Sequence, residues 1–165
     1  MRLRTRHAGQ AGDFAGFVGA ELRSETRSID LGTAAGRRYL TSGWSEDRWD
    51  KRRKRSYVIG KGGESALRFD LIEPRPLTLQ LHGRPMNPDS GVTIDVEVQV
   101  NGYPVQTLSL AERPRRYRVA VQEGVLQAGA NTIMLRYRRS DSADPMYPVA
   151  WYQVDLLFDD RSVAP

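Results

Sequence analysis

The sequence predicts an all-β protein, an antiparallel β-sandwich of jelly-roll type. Three observations carry that reading. Apolar residues recur with a period of two from residue 64 onward, an Asn-Gly pair sits where two such runs meet, and most gaps hold Gly, Pro, Asn or Asp. A period of two sets one face of a strand on a core and the other in water, as antiparallel sheets do. Strands recurring about every ten to fifteen residues between such turns fit a sandwich and not βαβ units. A jelly roll of about eight strands would close most of the edges.

Taken in order, residues 1–27 read as a flexible or partly helical leader, and residues 28–160 as the sandwich domain. Phe14, Phe17, Val18 and Leu22 have helical spacing, and Asp13 could cap their start. Gly16 and Gly19 would each weaken that helix by roughly 1 kcal/mol relative to Ala. The opening Met1-Arg2-Leu3-Arg4-Thr5-Arg6 is basic like the start of a signal peptide, but Asp13 and several glycines break the stretch that should be apolar. Ser28-Ile29-Asp30-Leu31 reads as the first strand, and residues 41–56 as a long loop. Gly60-Lys61-Gly62-Gly63 lacks the strand–loop–helix setting and the Gly-Lys-Ser/Thr ending of a phosphate loop, and reads as a hairpin turn. Leu67, Phe69 and Leu71 form one core face, and Leu77, Leu79 and Leu81 the next. Ile94, Val96, Val98 and Val100 run straight into Asn101-Gly102, followed by the strand from Pro104 to Leu110. Asn-Gly accepts the positive φ angles of a type I′ turn, so residues 93–110 are a hairpin. Tyr117, Val119 and Val121 make a further strand, and Ile133, Leu135 and Tyr137 another. The last strand is Ala150, Tyr152, Val154, Leu156 and Phe158; with Tyr152, Val154, Leu156 and Phe158 toward the core Trp151 faces outward, and with a register break near Pro148 it is a core aromatic.

Composition removes most enzyme classes. A chain of 165 residues supports one domain with a core. No run of 18 apolar residues is present, so no spanning helix is expected. The absence of cysteine excludes disulfides, thiolate metal sites and a Cys nucleophile. His7 and His82 lie far apart, which leaves little for a His-based metal site or a triad. Gly-x-Ser-x-Gly is absent. The expectation is a protein with no catalytic residues. Charge is uneven: residues 1–63 hold 14 Lys/Arg against 7 Asp/Glu, and residues 64–165 hold 11 against 13. The basic excess is assigned to a single loop.

Four residues stand out for sugar contact: Trp44, Trp49, Arg84 and Trp151. Sugar C–H faces stack on indoles while hydroxyls pair with carboxylates, amides or Arg. Trp44, in Gly43-Trp44-Ser45-Glu46, could present its ring at the mouth of the sandwich or plug one end of the core. An outward Trp151 would lie beside Gln153 and Asp155, although a one-residue slip of register would bury it. Lys51, Arg52, Arg53, Lys54 and Arg55, between Trp49 and Tyr57, could grip a polyanion such as an acidic polysaccharide or nucleic-acid phosphates. A solvated, mobile turn is the plainer reading of such a run. His82, on the polar face of its strand, reads as a solvated surface residue. Glu46-Asp47 or Asp159-Asp160 could hold a structural calcium if loop carbonyls joined them, but no EF-hand spacing is present.

Ile29-Asp30-Leu31-Gly32, then Arg38-Tyr39-Leu40 and Gly43-Trp44-Ser45-x-Asp47, resemble the opening of galactose-binding-like jelly-roll domains attached to bacterial sulfatases and cell-surface glycan enzymes. The similarity continues through Ser65-x-Leu67-x-Phe69, Arg84-Pro85, Val98-x-Val100-Asn101-Gly102, Tyr117-x-Val119-x-Val121 and Gly129-x-Asn131-x-Ile133-x-Leu135-x-Tyr137. It spans residues 28–158. The resemblance implies a non-catalytic carbohydrate-binding accessory module in an extracytoplasmic setting, with a fused or partner enzyme. The basic run departs from the acidic or glycine-rich and aromatic segment usual after Gly-Trp-Ser, and it favours an anionic glycan. Two other readings stay open: a structural domain that packs against an enzyme or subunit, and, less favoured, a basic-loop binder of nucleic acid.

Overall fold

The computed structural model describes residues 26–86, 93–139 and 149–159. The helix expected near residues 14–22 lies outside them. Two antiparallel sheets pack face to face. The first contains β1 (Thr26–Asp30), β3 (Arg48–Asp50), β4 (Arg55–Gly60), β6 (Leu77–Pro85), β9 (Arg115–Val121) and β11 (Val149–Phe158). The second contains β2 (Leu40–Ser42), β5 (Glu64–Leu71), β7 (Ile94–Val100), β8 (Tyr103–Leu110) and β10 (Gly129–Arg139). Their orders are β3-β4-β11-β6-β9 and β2-β5-β10-β7-β8, with β1 sharing one edge of β11 with β4. From β4 to β11 the chain crosses between sheets at every step except the β7–β8 hairpin. That is the jelly-roll sandwich the sequence predicts.

The alternation works as expected. Leu79, Leu81, Val96, Val98, Ile133 and Leu135 are fully buried between the sheets, while Gln80, Glu97 and Arg136 face away. Burying one such side chain contributes roughly 1.5–3 kcal/mol. Asn101 (φ 51°) and Gly102 (φ 82°) make the two-residue turn of the β7–β8 hairpin, in the positive-φ pair a type I′ turn requires.

Two expectations are corrected. Residues 41–56 are not one long loop: they hold the end of β2, all of β3 and the start of β4. Short strands with few apolar residues leave no period to read. Gly60–Gly63 is not a hairpin turn either, because β4 pairs with β11 in one sheet and β5 with β10 in the other. It is an arch between sheets. A short helix, α1 (Ala34–Arg37), follows β1, its start capped by Thr33 Oγ1 accepting from the Gly36 N–H at 3.0 Å.

Candidate functional site

The site begins with an irregularity in β11. Opposite β6, Trp151 pairs with Gly83 and Gln153 with His82, so Tyr152 is the extra residue of a β-bulge. Val154, Leu156 and Phe158 point inward as expected, but the bulge reverses the two aromatics before them. Trp151 faces the core and is fully buried. The expected outward indole at Trp151 is therefore corrected, and it offers no ring face to a ligand. It lies against Gly83, where a Cβ would come within 2.4 Å of its ring. Its Nε1–H donates to the Tyr137 hydroxyl (3.0 Å), which donates to Ser65 Oγ (3.0 Å). Burial pushes the Tyr137 phenol well above its ordinary pKa.

Tyr152 is turned to the outer face of the first sheet, where the β3–β4 hairpin covers it. Its hydroxyl donates to Asp50 Oδ2 (3.1 Å) and accepts from Arg84 Nε (3.0 Å). The Arg55 guanidinium lies over the Tyr152 ring at 5.0 Å. Arg55 also bonds His82 Nδ1 (3.0 Å) and Gln153 Oε1 (3.2 Å), while its buried Nε has no partner. His82, expected to be a solvated surface residue, is half-buried. Desolvation first, then the charges of Arg55 and Arg116, push its pKa down to about 4. The ring is thus neutral at pH 7 and can accept from Arg55. These contacts pin the hairpin to the sheet.

The hairpin tip carries the basic run. Asp50 Oδ1 accepts from the backbone N–H groups of Arg52 and Arg53 (both 3.0 Å), and Oδ2 accepts from Arg53 Nη1 (3.0 Å). Burial alone would raise the Asp50 pKa, but the hydrogen bonds from Arg53 and Tyr152 outweigh it and hold the pKa low. The turn closes with Lys54 at φ 51°. The five cations are therefore unequal. Lys51, Arg52, Arg53 and Lys54 are exposed, whereas Arg55 is committed to Tyr152, His82 and Gln153. The expectation that all five form one free polyanion surface is corrected at Arg55.

The tip does not act alone. Arg52 and Arg53 line an open cleft whose other wall is Arg113-Pro114, from the loop between β8 and β9. On the adjoining sheet face, Arg116 lies opposite His82 and Arg118 opposite Gln80. This corrects the assignment of the basic excess to a single loop. Residues 113–118 (Arg-Pro-Arg-Arg-Tyr-Arg) were a second signal in plain view, hidden by the acidic balance of the C-terminal part.

The remaining candidates are dispersed. Trp49 is 61% exposed and sits on the hairpin three residues before Arg52. Trp44 is half-buried against the core, its Nε1–H donating to the Ala66 carbonyl at 2.6 Å. That is the core-plug role. Arg84 holds Tyr152 and the Pro85 carbonyl. The three indoles make no common platform.

Calcium does not fit Glu46-Asp47. Glu46 pairs with Arg48 and Lys61, and Asp47 with Arg37, so cations already occupy both carboxylates. Asp160 of the other pair lies outside the described residues. Among the described residues no group of three His, Asp or Glu could hold a metal ion, and no helix is long and apolar enough to cross a membrane.

No family model matches the sequence, and a search of curated proteins finds no match. Solved structures match it in fold. The CBM36-1 domain of a multidomain xylanase from the hindgut metagenome of Trinervitermes trinervoides superposes with a TM-score of 0.53 at 12% identity, covering 80% of this chain and 96% of that one. A CBM36 carbohydrate-binding module in complex with calcium and xylotriose gives 0.51 at 10% identity, covering 79% and 98%. A GH26-CBM35 β-(1,4)-mannanase from Podospora anserina gives 0.55 at 16% identity; the match covers 87% of this chain but only 29% of the mannanase. The chain shares the jelly-roll β-sandwich fold of these structures.

Proposed function

We propose that the domain is a non-catalytic carbohydrate-binding accessory module that acts outside the cytoplasm beside a fused or partner enzyme, and that it prefers glycans carrying acidic groups. The observation that carries this reading is the β3–β4 hairpin, which holds the exposed Trp49 and four outward cations on a braced frame. An exposed indole supplies a stacking face, and the cations beside it suit carboxylate or sulfate substituents. The jelly-roll fold shared with carbohydrate-binding modules supports it. We include no calcium in the contact, because Glu46 and Asp47 are already paired with cations.

The test is a glycan array with neutral, uronate and sulfated sugars at low and high salt, with and without EDTA. Binding should survive EDTA and fall about tenfold or more in Trp49→Ala, the loss of one stacked aromatic. Binding that is untouched in Trp49→Ala, or abolished by EDTA, refutes the site as drawn. A second reading, a structural domain that packs against a partner, is favoured by the inward placement of Trp44 and Trp151. It predicts no binding to any glycan on the array.

A further inference from the structure

We propose that the cleft between the β3–β4 hairpin tip and the β8–β9 loop is a two-walled subsite for the carboxylate or sulfate group of an acidic glycan, with Arg113 as a recognition residue equal to Arg52. This rests on the glycan-binding reading and adds to it the place where the acidic group is held.

Both walls are built. The hairpin wall is fixed by Asp50 to Tyr152 and by Arg55 to His82 and Gln153, so Arg52 and Arg53 are carried on a pinned turn. The facing wall is braced as well: the Ala111 N–H donates to the Tyr117 hydroxyl at 2.7 Å, and Pro114 restricts the backbone beside Arg113. Arg113 and Arg52 are both exposed. Arg53 shares its charge with Asp50, which leaves Arg52 and Arg113 as the principal charges of the cleft.

Like charges gathered by two separate loops repel unless something lies between them. Basic charge also crowds the outer face of the same sheet, where the charges of Arg55 and Arg116 add to desolvation in keeping His82 neutral. A planar carboxylate or a tetrahedral sulfate set between guanidinium groups would relieve that repulsion and accept charge-assisted hydrogen bonds from both walls. A glycan is favoured over nucleic acid because the cleft is lined by only Arg52, Arg53, Arg113 and Pro114, whereas a phosphate backbone needs a continuous basic track.

Calorimetric titration of the full 165-residue chain tests this, with an oligogalacturonate, a sulfated oligosaccharide, uncharged xylotriose and single-stranded DNA as probes. Arg52→Gln, Arg113→Gln and the double variant are compared with Arg68→Gln, which removes the same charge from the opposite face of the sandwich. Acidic-glycan affinity should drop about tenfold in Arg113→Gln, the loss of one hydrogen bond to a charged group. Arg68→Gln should change it less than about twofold, and neutral-sugar affinity should not move. The double variant should lose less than the product of the single losses, as two residues gripping one group do. If Arg113→Gln matches Arg68→Gln while acidic glycans still bind, the cleft is wrong and the glycan reading survives. If no glycan of any kind binds, both fall. Tighter, Arg113-dependent binding of DNA overturns the glycan subsite in favour of nucleic acid.

Discussion

His82 should make the domain lose stability as pH falls from about 6.5 to 4. In the folded protein burial of the ring, and after it the charges of Arg55, bonded to Nδ1 at 3.0 Å, and of Arg116, opposite it on β9, depress its pKa from the ordinary value to about 4. The charge of Asp155 opposes that shift. The sign follows directly. Between the two pKa values the unfolded chain binds a proton that the folded chain does not, so stability is fully present above about 6.5 and is lost progressively as pH falls toward 4. A depression of that size caps the effect at about 3 kcal/mol. Solvent reaches the half-buried ring and screens its neighbours, which brings the expected loss to about 1–2 kcal/mol. In a domain of this length that is about 2–8 °C in Tm. His82→Gln keeps a polar side chain at the position and removes the titration, so its Tm should fall less than that of the parent between pH 7 and pH 4. NMR titration should show one imidazole moving only near pH 4, with its signals absent from His82→Gln. An imidazole at position 82 titrating near 6.5, or identical pH profiles for the two proteins, would refute the latch between His82 and Arg55.

Two further expectations concern stability. Gly102 has φ 82° and open space around its Cα, so Gly102→Val meets no clash and suffers only backbone strain; it should cost about 1–2 kcal/mol in urea unfolding, and an unchanged midpoint would show a different turn. Trp151→Ala should cost about 3–5 kcal/mol, because it empties a core site and removes the donor to Tyr137, whereas Trp49→Ala should stay within about 0.5 kcal/mol; the reverse ranking would place the wrong indole inside.

The sheets were legible in the sequence because their period is unbroken. Ile94–Val100 and Leu77–Leu81 alternate without a fault, and each inward position is the one the pattern names. The site was only half legible, for one physical reason. A β-bulge adds a residue to one strand, and parity read from Val154, Leu156 and Phe158 cannot be carried back across it. Applied blindly, parity put Trp151 outside and Tyr152 inside, and both placements are reversed. A signal was available in β6, where the series Leu77, Leu79, Leu81 continues in phase to Gly83: a glycine at a core position leaves a hole that a large aromatic opposite can fill. No such signal exists for Arg55. Whether one cation in a run of five is solvated or stacked on a tyrosine depends on strands nearly one hundred residues away.

The two outer faces of the sandwich differ in how their charges are used. On the second sheet Arg136 pairs with Glu64 and Arg68 with Asp70, so charge there is balanced locally and the face is an ordinary solvated one. On the first sheet two carboxylates are committed to fixing the structure: Asp50 holds the hairpin turn and Tyr152, and Asp155 accepts from Gln80 and Gln153. Among the described residues Arg52, Arg113 and Arg116 are in no close ion pair with a carboxylate. On the proposed reading, that division, more than net charge, is what favours the hairpin side of the molecule for an anionic ligand. It also explains why Arg68→Gln and Arg113→Gln, alike in charge, should differ in what they do to a bound acidic glycan.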